Sequence, residues 1–192
     1  MDEKFIRTGL LLGGEGLNRL ARARVAVFGI GGVGGHAAEA LARSGVGELE
    51  LIDKDVVSVS NINRQTIATT RTVGQSKTRV MKERISEINP QARVTVRDCF
   101  FLPETARDFD FTAYDYVVDA VDTVTAKIEL VMQAQEAGVA IIHQELNMCT
   151  HLSVAENIFL GREILKRGRL DNVRMNEETQ QILDKLNIDI DP

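Results

Sequence analysis

Cysteine is scarce in this sequence, and its scarcity excludes several kinds of site. The 192 residues contain two cysteines, Cys99 and Cys149, which lie far apart in the chain. They form neither a C-x-x-C pair, which would indicate a zinc site, nor the framework of a disulfide-stabilised domain. We therefore expect no structural zinc and no disulfide. Cys99 follows a predicted strand and is expected to be a small buried apolar residue.

Long apolar runs and an excess of positive charge are also missing. No stretch is long enough to span a bilayer, and residues 1–5 lack the apolar core of a signal sequence. This predicts a cytoplasmic protein with no membrane partner. The net charge of -5 argues against broad electrostatic binding of nucleic acid, although a local basic patch remains compatible with an RNA substrate.

Hydrophobic periodicity predicts that most of the chain alternates between strands and helices. A β-branched run precedes the glycine turn, and a second strand delivers Asp53 at its carboxyl end, 19 positions after Gly34. The predicted strands are 24–28, 49–52, 93–96, 114–119 and 139–142, and the predicted helices begin near residues 33, 74 and 123. The predicted fold class is α/β: a Rossmann-like, mostly parallel sheet with helices on both faces, followed by a helical C-terminal tail.

The segment Gly-Ile-Gly-Gly-Val-Gly over residues 29–34 is typical of a nucleotide-binding turn. Gly29 and Gly31 would let the backbone approach a phosphate closely, and Gly34 would let the following helix pack tightly on the strand. The start of that helix offers unpaired N–H groups to an anion. We count Gly32 with these three as nucleotide-binding. The turn alone fits a nicotinamide or flavin site equally well.

Charged side chains beyond the turn favour triphosphate chemistry over hydride transfer. Asp53 is suited to accept hydrogen bonds from ribose hydroxyls, and Asp122 to hold Mg²⁺ against phosphate oxygens. Lys77 precedes Met81 by one turn on the buried stripe of its helix, so it should point toward the ligand edge of the sheet. Arg64 and Lys77 would offset charge as pyrophosphate leaves. Such a reaction needs positioning and electrostatic stabilisation more than a protein nucleophile.

Each of these assignments has a simpler alternative. The alternative for Asp55 is a solvated turn residue, and the alternative for Lys77 and Arg7 is an ordinary surface charge. The three histidines share no ligand spacing and are expected to be structural or exposed.

Residues from about 5 to 142 resemble the ThiF/MoeB/ubiquitin-activating-enzyme superfamily, and within it most closely the tRNA threonylcarbamoyladenosine dehydratases. The resemblance is specific because several segments carry it together. They are Arg7-Thr8 before Leu10-Leu11-Leu12-Gly13, the glycine turn, Asp53-Lys54-Asp55, Asn61-x-Asn63-Arg64-Gln65, Gly74-x-x-Lys77 and Asp119-Ala120-x-Asp122.

This resemblance implies that the protein binds ATP and Mg²⁺ and adenylates a carboxylate. Within the superfamily, residues matching Asp53, Asn61, Arg64, Lys77 and Asp122 bind ATP and magnesium. The expected nucleotide-binding set is Gly29, Gly31, Gly32, Gly34, Asp53, Asp55, Asn61, Asn63, Arg64, Gln65 and Lys77. The expected catalytic set is Arg7, Arg64, Lys77 and Asp122, with Asp122 as the Mg²⁺ ligand.

The resemblance also implies partners. Arg7 would be an arginine finger that reaches into the site of a partner subunit, which implies a homodimer. The Asn-x-Asn-Arg form and the Arg-Thr start favour the branch in which ATP activates the carboxylate of threonylcarbamoyladenosine in tRNA, which then cyclises with loss of water. Two alternatives stay open: adenylation of the C-terminal glycine of a ubiquitin-like sulfur-carrier protein, which adds a sulfur-transfer partner, and a nucleotide-binding fragment with impaired catalysis.

From residue 138 onward the sequence resembles the Q-loop region of ATP-binding subunits of sugar ABC transporters, on residues 141–147 and 152–162. This predicts a chimera, with a nucleotide-binding domain over 1–142 and a foreign helical tail over 143–192. Ser153 and Glu156 form an S-x-x-E capping box that predicts a helix through Leu160. Residues 74–78 lack the spacing of a G-x-x-x-x-G-K-[ST] phosphate loop, so no transporter-type ATPase is expected and Gln144 is assigned no Mg²⁺ contact.

Overall fold

The computed structural model describes residues 3–144, 149, 151–160, 163–166, 168–186, 188 and 190. The chain divides into two compact units, Met1–Gln144 and Glu145–Pro192. The expectation of a foreign tail over 143–192 concerns the origin of that segment, which the geometry does not address, and it stays a prediction.

The first unit is built on a five-stranded parallel sheet with the strand order β3-β2-β1-β4-β5. Its strands are β1 (Arg24–Phe28), β2 (Glu48–Ile52), β3 (Arg93–Arg97), β4 (Tyr116–Asp119) and β5 (Ala140–His143). This confirms the predicted α/β, Rossmann-like class. The strand order reverses between β1 and β4, and a sheet of this kind binds its ligands outside the carboxyl ends of the strands at that point.

Helices cover both faces of the sheet. The helices that pack on the sheet are α2 (Gly32–Ser44), α3 (Lys77–Ile88) and α4 (Val124–Glu136). On one face, Met81 and Ile85 of α3 pack with Val27 and Leu51 of the central strands. On the other face, Leu130 of α4 belongs to a buried cluster that includes Phe28 and Phe101. The alternation of side chains along each strand therefore separates two apolar cores.

An N-terminal helix, α1 (Ile6–Arg22), precedes the sheet and was not anticipated from the sequence. Its helical geometry breaks at Gly13, where φ is 70° and ψ is 176°. Leu10 and Leu11 are 81% and 87% exposed. These apolar residues therefore lie on the surface, whereas Leu20 near the end of the same helix packs against the core.

The aromatic core and a buried carboxylate share the second face of the sheet. The ring of Phe28 lies 4.9 Å from Phe101 and 5.8 Å from Phe111, measured between centroids. Glu50 of β2 is 2% exposed and accepts hydrogen bonds from Arg24 Nη2 at 2.8 Å and Arg97 Nε at 2.5 Å.

Two opposing effects act on this buried carboxylate. Burial raises the pKa of the Glu50 carboxyl, but the hydrogen bonds from Arg24 and Arg97 outweigh that effect and hold it below its ordinary value. Because a buried charge without its partner is strongly destabilising, this group of three side chains is needed for the fold as it stands. It joins β2 to the strands on both of its sides.

In its described residues, the second unit contains two helices and a short hairpin. Its elements are α5 (Val154–Ile158), β6 (Leu165–Lys166), β7 (Arg169–Leu170) and α6 (Asn172–Leu186). The predicted capping box is present: Glu156 N donates to Ser153 Oγ at 3.2 Å, and Ser153 N donates to Glu156 Oε2 at 2.8 Å. The helix it starts ends at Ile158, two residues before the predicted Leu160. Among the described residues of the whole chain, no helix is both long and apolar enough to cross a membrane.

The tight contact between the glycine turn and the start of α2 gives a first testable prediction. A Cβ added at Gly34 would lie 1.8 Å from the carbonyl oxygen of Gly29, whereas the nearest atom to a Cβ at Gly32 would be 3.7 Å away. We expect Gly34→Ala to lower the free energy of unfolding by at least about 1–3 kcal/mol, the usual cost of overpacking. Gly32→Ala is the matched control, with little change expected.

Urea unfolding of both variants measures these differences. Equal stability of the two variants would contradict the close packing of α2 on the end of β1.

Candidate functional site

A cavity of about 500 Å³ opens at the carboxyl edge of the sheet, where β1 lies beside β4. Most of the predicted nucleotide-binding residues line it. These are Gly29, Gly31, Gly32, Asp53, Asp55, Asn61, Arg64, Gln65, Lys77 and Asp122. Three predicted residues do not line it: Arg7, Gly34 and Asn63. The sheet therefore brings together, in one place, side chains that span 94 sequence positions from Gly29 to Asp122.

The glycine turn forms the floor of this cavity. Gly29 has a φ of 90°, and a Cβ there would lie 2.3 Å from the carbonyl oxygen of Ala120 at the end of β4. Gly31 is different, because the nearest atom to an added Cβ is 3.9 Å away. Gly29 is therefore required by the close approach of two strands, and the space beside Gly31 is free to receive a ligand.

Asp53, at the end of β2, shapes the turn through its carboxylate. Its Oδ2 accepts a hydrogen bond from Ile30 N at 2.7 Å, and its Oδ1 accepts one from Asp55 N at 2.7 Å. Only two of the roughly four acceptor positions of a carboxylate are used in this way. The remaining positions leave Asp53 able to accept hydrogen bonds from a ligand.

Lys77 is the buried cation of the site. It is 6% exposed, and its Nζ lies 2.7 Å from Asp55 Oδ2 and 4.0 Å from Asp53 Oδ2. Its backbone N also donates to the Asp55 carbonyl at 3.0 Å. Such burial is incompatible with an ordinary surface lysine. Asp55 is exposed, as a turn residue would be, but it also holds the lysine.

The segment between β2 and α3 carries the other cation. Asn61 ends a 3-10 turn, Val59–Asn61, and its Oδ1 accepts a hydrogen bond from Ser58 N at 3.0 Å. Arg64 Nη1 donates to the Ser60 carbonyl at 2.8 Å and to Asn63 Oδ1 at 2.9 Å. Asn63 therefore contacts Arg64 and does not line the cavity. Its expected role in binding nucleotide stays a prediction.

The two aspartates of the Asp119-Ala120-x-Asp122 segment face different surroundings. Asp119 is 1% exposed, and its carboxylate lies 3.4 Å from Lys127 Nζ and 3.2 Å from His143 Nδ1. Asp122 is exposed on the cavity and makes no hydrogen bond or ion pair within the described part of the chain. Asp122 is thus the carboxylate that is free to bind a ligand.

The donor set fits Mg²⁺ only in a particular way. No group of three or more His, Cys, Asp or Glu side chains in the described residues is arranged to hold a metal ion by itself. Mg²⁺ is commonly held by one or two carboxylates together with phosphate oxygens and water. The free carboxylate of Asp122 matches that arrangement, in which a phosphate ligand brings most of the coordinating atoms.

An apolar wall of the cavity was not identified from the sequence. Residues 99–102 line it just after β3, and Cys99 there is half-buried and packs against the aromatic core. Burial raises the pKa of the Cys99 thiol, which favours the protonated form. Gln144, to which no role was assigned, also lines the cavity. The sequence did offer one indication of this wall, since Cys99-Phe100-Phe101-Leu102 follows the carboxyl end of a predicted strand, where ligands bind.

The fold and this site together define a Rossmann-like domain with a polar ligand cavity at its switch point. The chain belongs to the ThiF family, whose sequence profile matches residues 6–155. That match extends beyond residue 142, where the sequence suggested a join, and a relationship of the tail to ABC transporters stays a prediction.

Three proteins illustrate this similarity. The chain is 46% identical over 142 residues to the tRNA threonylcarbamoyladenosine dehydratase of Bacillus subtilis, covering 74% of this chain and 56% of that protein. It is 38% identical over 128 residues to the molybdopterin-synthase adenylyltransferase of Salmonella typhimurium, covering 67% and 51%. The crystal structure of the E. coli tRNA N6-threonylcarbamoyladenosine dehydratase in complex with ATP superimposes with a TM-score of 0.72 at 43% identity, covering 73% and 58%. The chain thus spans about half the length of the curated relatives it matches.

The different surroundings of Asp53 and Asp122 give a second prediction. Asp53→Ala leaves two backbone N–H groups without their acceptor and should lower the free energy of unfolding by about 1–3 kcal/mol in the absence of nucleotide. Asp122→Ala removes a carboxylate that makes no hydrogen bond or ion pair among the described residues, so the stability of this variant should match that of the unmodified protein.

Thermal and urea unfolding of the two variants provide the measurement. A larger loss for Asp122→Ala than for Asp53→Ala would show that the hydrogen bonds assigned to Asp53 do not hold the turn.

Proposed function

We propose that this chain binds ATP together with Mg²⁺ and uses it to adenylate a carboxylate. The observation that carries the proposal is the meeting of Lys77, Arg64 and Asp122 around one cavity beside the glycine turn. Two cations suit the phosphates, and a free carboxylate suits a metal that bridges them. The ATP complex of a family relative supports this choice of nucleotide.

Each residue has a definite role in this proposal. The glycine turn and the N-terminus of α2 receive phosphate oxygens, and Asp53 accepts hydrogen bonds from ribose hydroxyls. Asn61 and Gln65 lie on the same wall and offer amide groups to the nucleotide. Asp122 would hold Mg²⁺, which would supply positive charge to the phosphates. The apolar residues 99–102 provide the surface on which an adenine ring can pack.

Binding requires both cations to change partners. Lys77 Nζ must exchange part of its contact with Asp55 for phosphate oxygens, and Arg64 must give up its hydrogen bonds to Ser60 and Asn63. The charges are then placed where negative charge accumulates on the departing pyrophosphate. Because these contacts strengthen as that charge develops, they favour the transition state over the bound substrate.

ATP binding can be tested by titration calorimetry with Lys77→Ala. We expect roughly ten- to hundredfold weaker binding, since losing one hydrogen bond to a charged group costs on the order of 1.5–3 kcal/mol. The matched control is Lys82→Ala, an exposed lysine on the same helix that does not line the cavity. Binding of NAD more tightly than ATP would reject the adenylation proposal.

The carboxylate we propose is that of threonylcarbamoyladenosine in tRNA. One carboxylate oxygen attacks the α-phosphorus of ATP, and the bond to pyrophosphate breaks. An internal nucleophile of the same nucleoside then attacks the activated carbonyl carbon, and AMP leaves with the oxygen, so the product has lost the elements of water. Dehydratase relatives at 44–46% identity support this substrate over others. With a tRNA substrate, we propose that the protein acts in the cytoplasm.

Adenylation of the C-terminal glycine of a ubiquitin-like sulfur carrier is the second candidate. Adenylyltransferase relatives at 36–40% identity, among them a sulfur carrier protein adenylyltransferase of Thermus thermophilus, favour it less strongly. A sulfur-transfer partner protein would then be needed. The third candidate is a nucleotide-binding fragment with impaired catalysis, which the coverage of only about half of each dehydratase relative supports.

We also propose that the active form is a homodimer. Arg7 is exposed on α1, away from the cavity, on the same helix as the strongly exposed Leu10 and Leu11. Exposed apolar side chains on one helix are a common feature of interfaces. Packing α1 against a second copy would cover them, and Arg7 could then reach the partner's nucleotide.

The chimera proposal has its own consequence. If the tail came from a sugar ABC transporter subunit, as residues 141–147 and 152–162 suggest, the ATP side of the reaction would be intact and the acceptor side altered. Misplacing the acceptor by about 1 Å can cost a hundredfold in rate. Sequencing reads across codons 130–150 of the source DNA would show whether the join is present there.

The reaction is tested by comparing pyrophosphate release on threonylcarbamoyladenosine-bearing tRNA with release on a sulfur-carrier protein. We expect weak release on tRNA that rises when a dehydratase-type tail is grafted at Gly138. Arg7→Ala and Lys77→Ala should each abolish it, and mixing the two variants should restore part of it if Arg7 acts across a dimer.

Activity on the carrier alone would transfer the assignment to the second candidate. No release from a folded, ATP-binding graft would reject both enzyme proposals and leave the nucleotide-binding fragment.

A further inference from the structure

Asp98, directly after β3, holds the first turn of α3 through hydrogen bonds from three of its side chains. Its Oδ1 accepts from Ser76 Oγ at 2.8 Å and from Thr78 Oγ1, and its Oδ2 accepts from Arg79 Nε at 3.0 Å. These donors surround Lys77 in sequence. No role in the site was predicted for Asp98, and it does not line the cavity.

The position of Lys77 is therefore fixed from two sides. On the cavity side, the Asp55 carbonyl accepts from Lys77 N at 3.0 Å, and Asp55 Oδ2 holds Nζ at 2.7 Å. On the other side, Ser76 caps the helix, its Oγ accepting from Arg79 N at 3.4 Å, and the same Oγ donates to Asp98. One carboxylate thus links the helix cap to the end of the edge strand.

We propose that Asp98 is a positioning residue that fixes the first turn of α3 and thereby presents Lys77 Nζ at the nucleotide cavity. A lysine side chain is flexible, so the place and direction of its backbone decide which point Nζ can reach. Freedom at the helix start would spread Nζ over several positions. The expected change in ATP affinity rests on the proposed function. The expected change in the accessibility of Lys77 does not.

The charge state of Asp98 is consistent with this role. Hydrogen bonds from Thr78 and Ser76, with a further contribution from Arg79, hold the pKa of the Asp98 carboxyl below its ordinary value. The group is therefore a carboxylate at neutral pH and accepts from all three donors. The contacts are fully present above the ordinary pKa of an aspartate and are lost as the pH falls through the lowered value.

A first experiment measures the accessibility of Lys77 without nucleotide. The rate at which an amine-reactive acylating reagent modifies each lysine is followed by mass spectrometry in Asp98→Ala and Asp98→Asn. Modification of Lys77 should rise several-fold in Asp98→Ala, and by less in Asp98→Asn, whose amide oxygen still accepts from the two hydroxyls. Lys82, exposed on the same helix, should be modified at an unchanged rate.

The matched control is Asp110→Ala. Asp110 also caps a turn, accepting from Thr112 N at 3.1 Å and Thr112 Oγ1 at 2.5 Å, but it does not line the cavity, and these hydrogen bonds stay within its own turn. If Asp98 only stabilises the fold, Asp98→Ala and Asp110→Ala should change the modification of all lysines alike. That result, or no change at Lys77, would overturn the proposal.

A second experiment asks whether Asp98 acts through Lys77. ATP affinity is measured for Asp98→Ala, for Lys77→Ala and for the double variant. Asp98→Ala alone should weaken binding on the order of tenfold, and it should add less than about twofold when Lys77 is already alanine. Equal losses in both backgrounds would show that Asp98 does not act through Lys77.

Failure of the unmodified protein to bind ATP would reject the proposed function but not this inference. The modification rates of Lys77 would then decide it alone.

Discussion

The carboxylate of Asp53 is the contact on which the rest of the site depends. It receives the backbone N–H of Ile30 from the glycine turn and that of Asp55 from the next loop, each at 2.7 Å. The turn after β1 is thereby fixed relative to the end of β2, and Asp55 is oriented to hold Lys77. Without Asp53, neither the glycine turn nor the loop that holds Lys77 would be fixed by these two hydrogen bonds.

The carboxylates that line the cavity outnumber its cationic side chains, and this favours a ligand that enters together with a cation. Asp53, Asp55 and Asp122 face only Lys77 and Arg64 among the charged residues that line it. A nucleotide triphosphate brings further negative charge into this acidic surrounding. Like charges at close range are unfavourable, so its binding requires an accompanying cation. This imbalance, together with the carboxylate of Asp122, supports the proposal that ATP would bind with Mg²⁺.

The parts of the structure that local patterns determine were predictable, and the parts that depend on distant contacts were not. β1 matches the predicted 24–28, and the buried position of Lys77 follows from helical spacing before Met81. The packing of Asp98 on α3 joins segments about 20 residues apart and leaves no periodic signal. The place of residues 99–102 in the cavity was not predicted, because an apolar run after a strand is equally typical of a buried core. Leu10 is apolar but exposed, so its apolar character alone does not predict burial. Apolar residues also occur at interfaces.

The position of the site along the chain lets nucleotide binding be considered apart from recognition of the acceptor. The turn, both cations and the free carboxylate lie between Gly29 and Asp122, well inside residues 6–155, which match the ThiF family profile. The dehydratase relatives extend to nearly twice the matched length, so their recognition of an acceptor can draw on residues outside it. A protein with this segment can therefore retain the nucleotide chemistry of the family while its acceptor differs. ATP binding is for that reason the part of the proposed function that the described geometry supports most directly, and the identity of the carboxylate rests on sequence similarity.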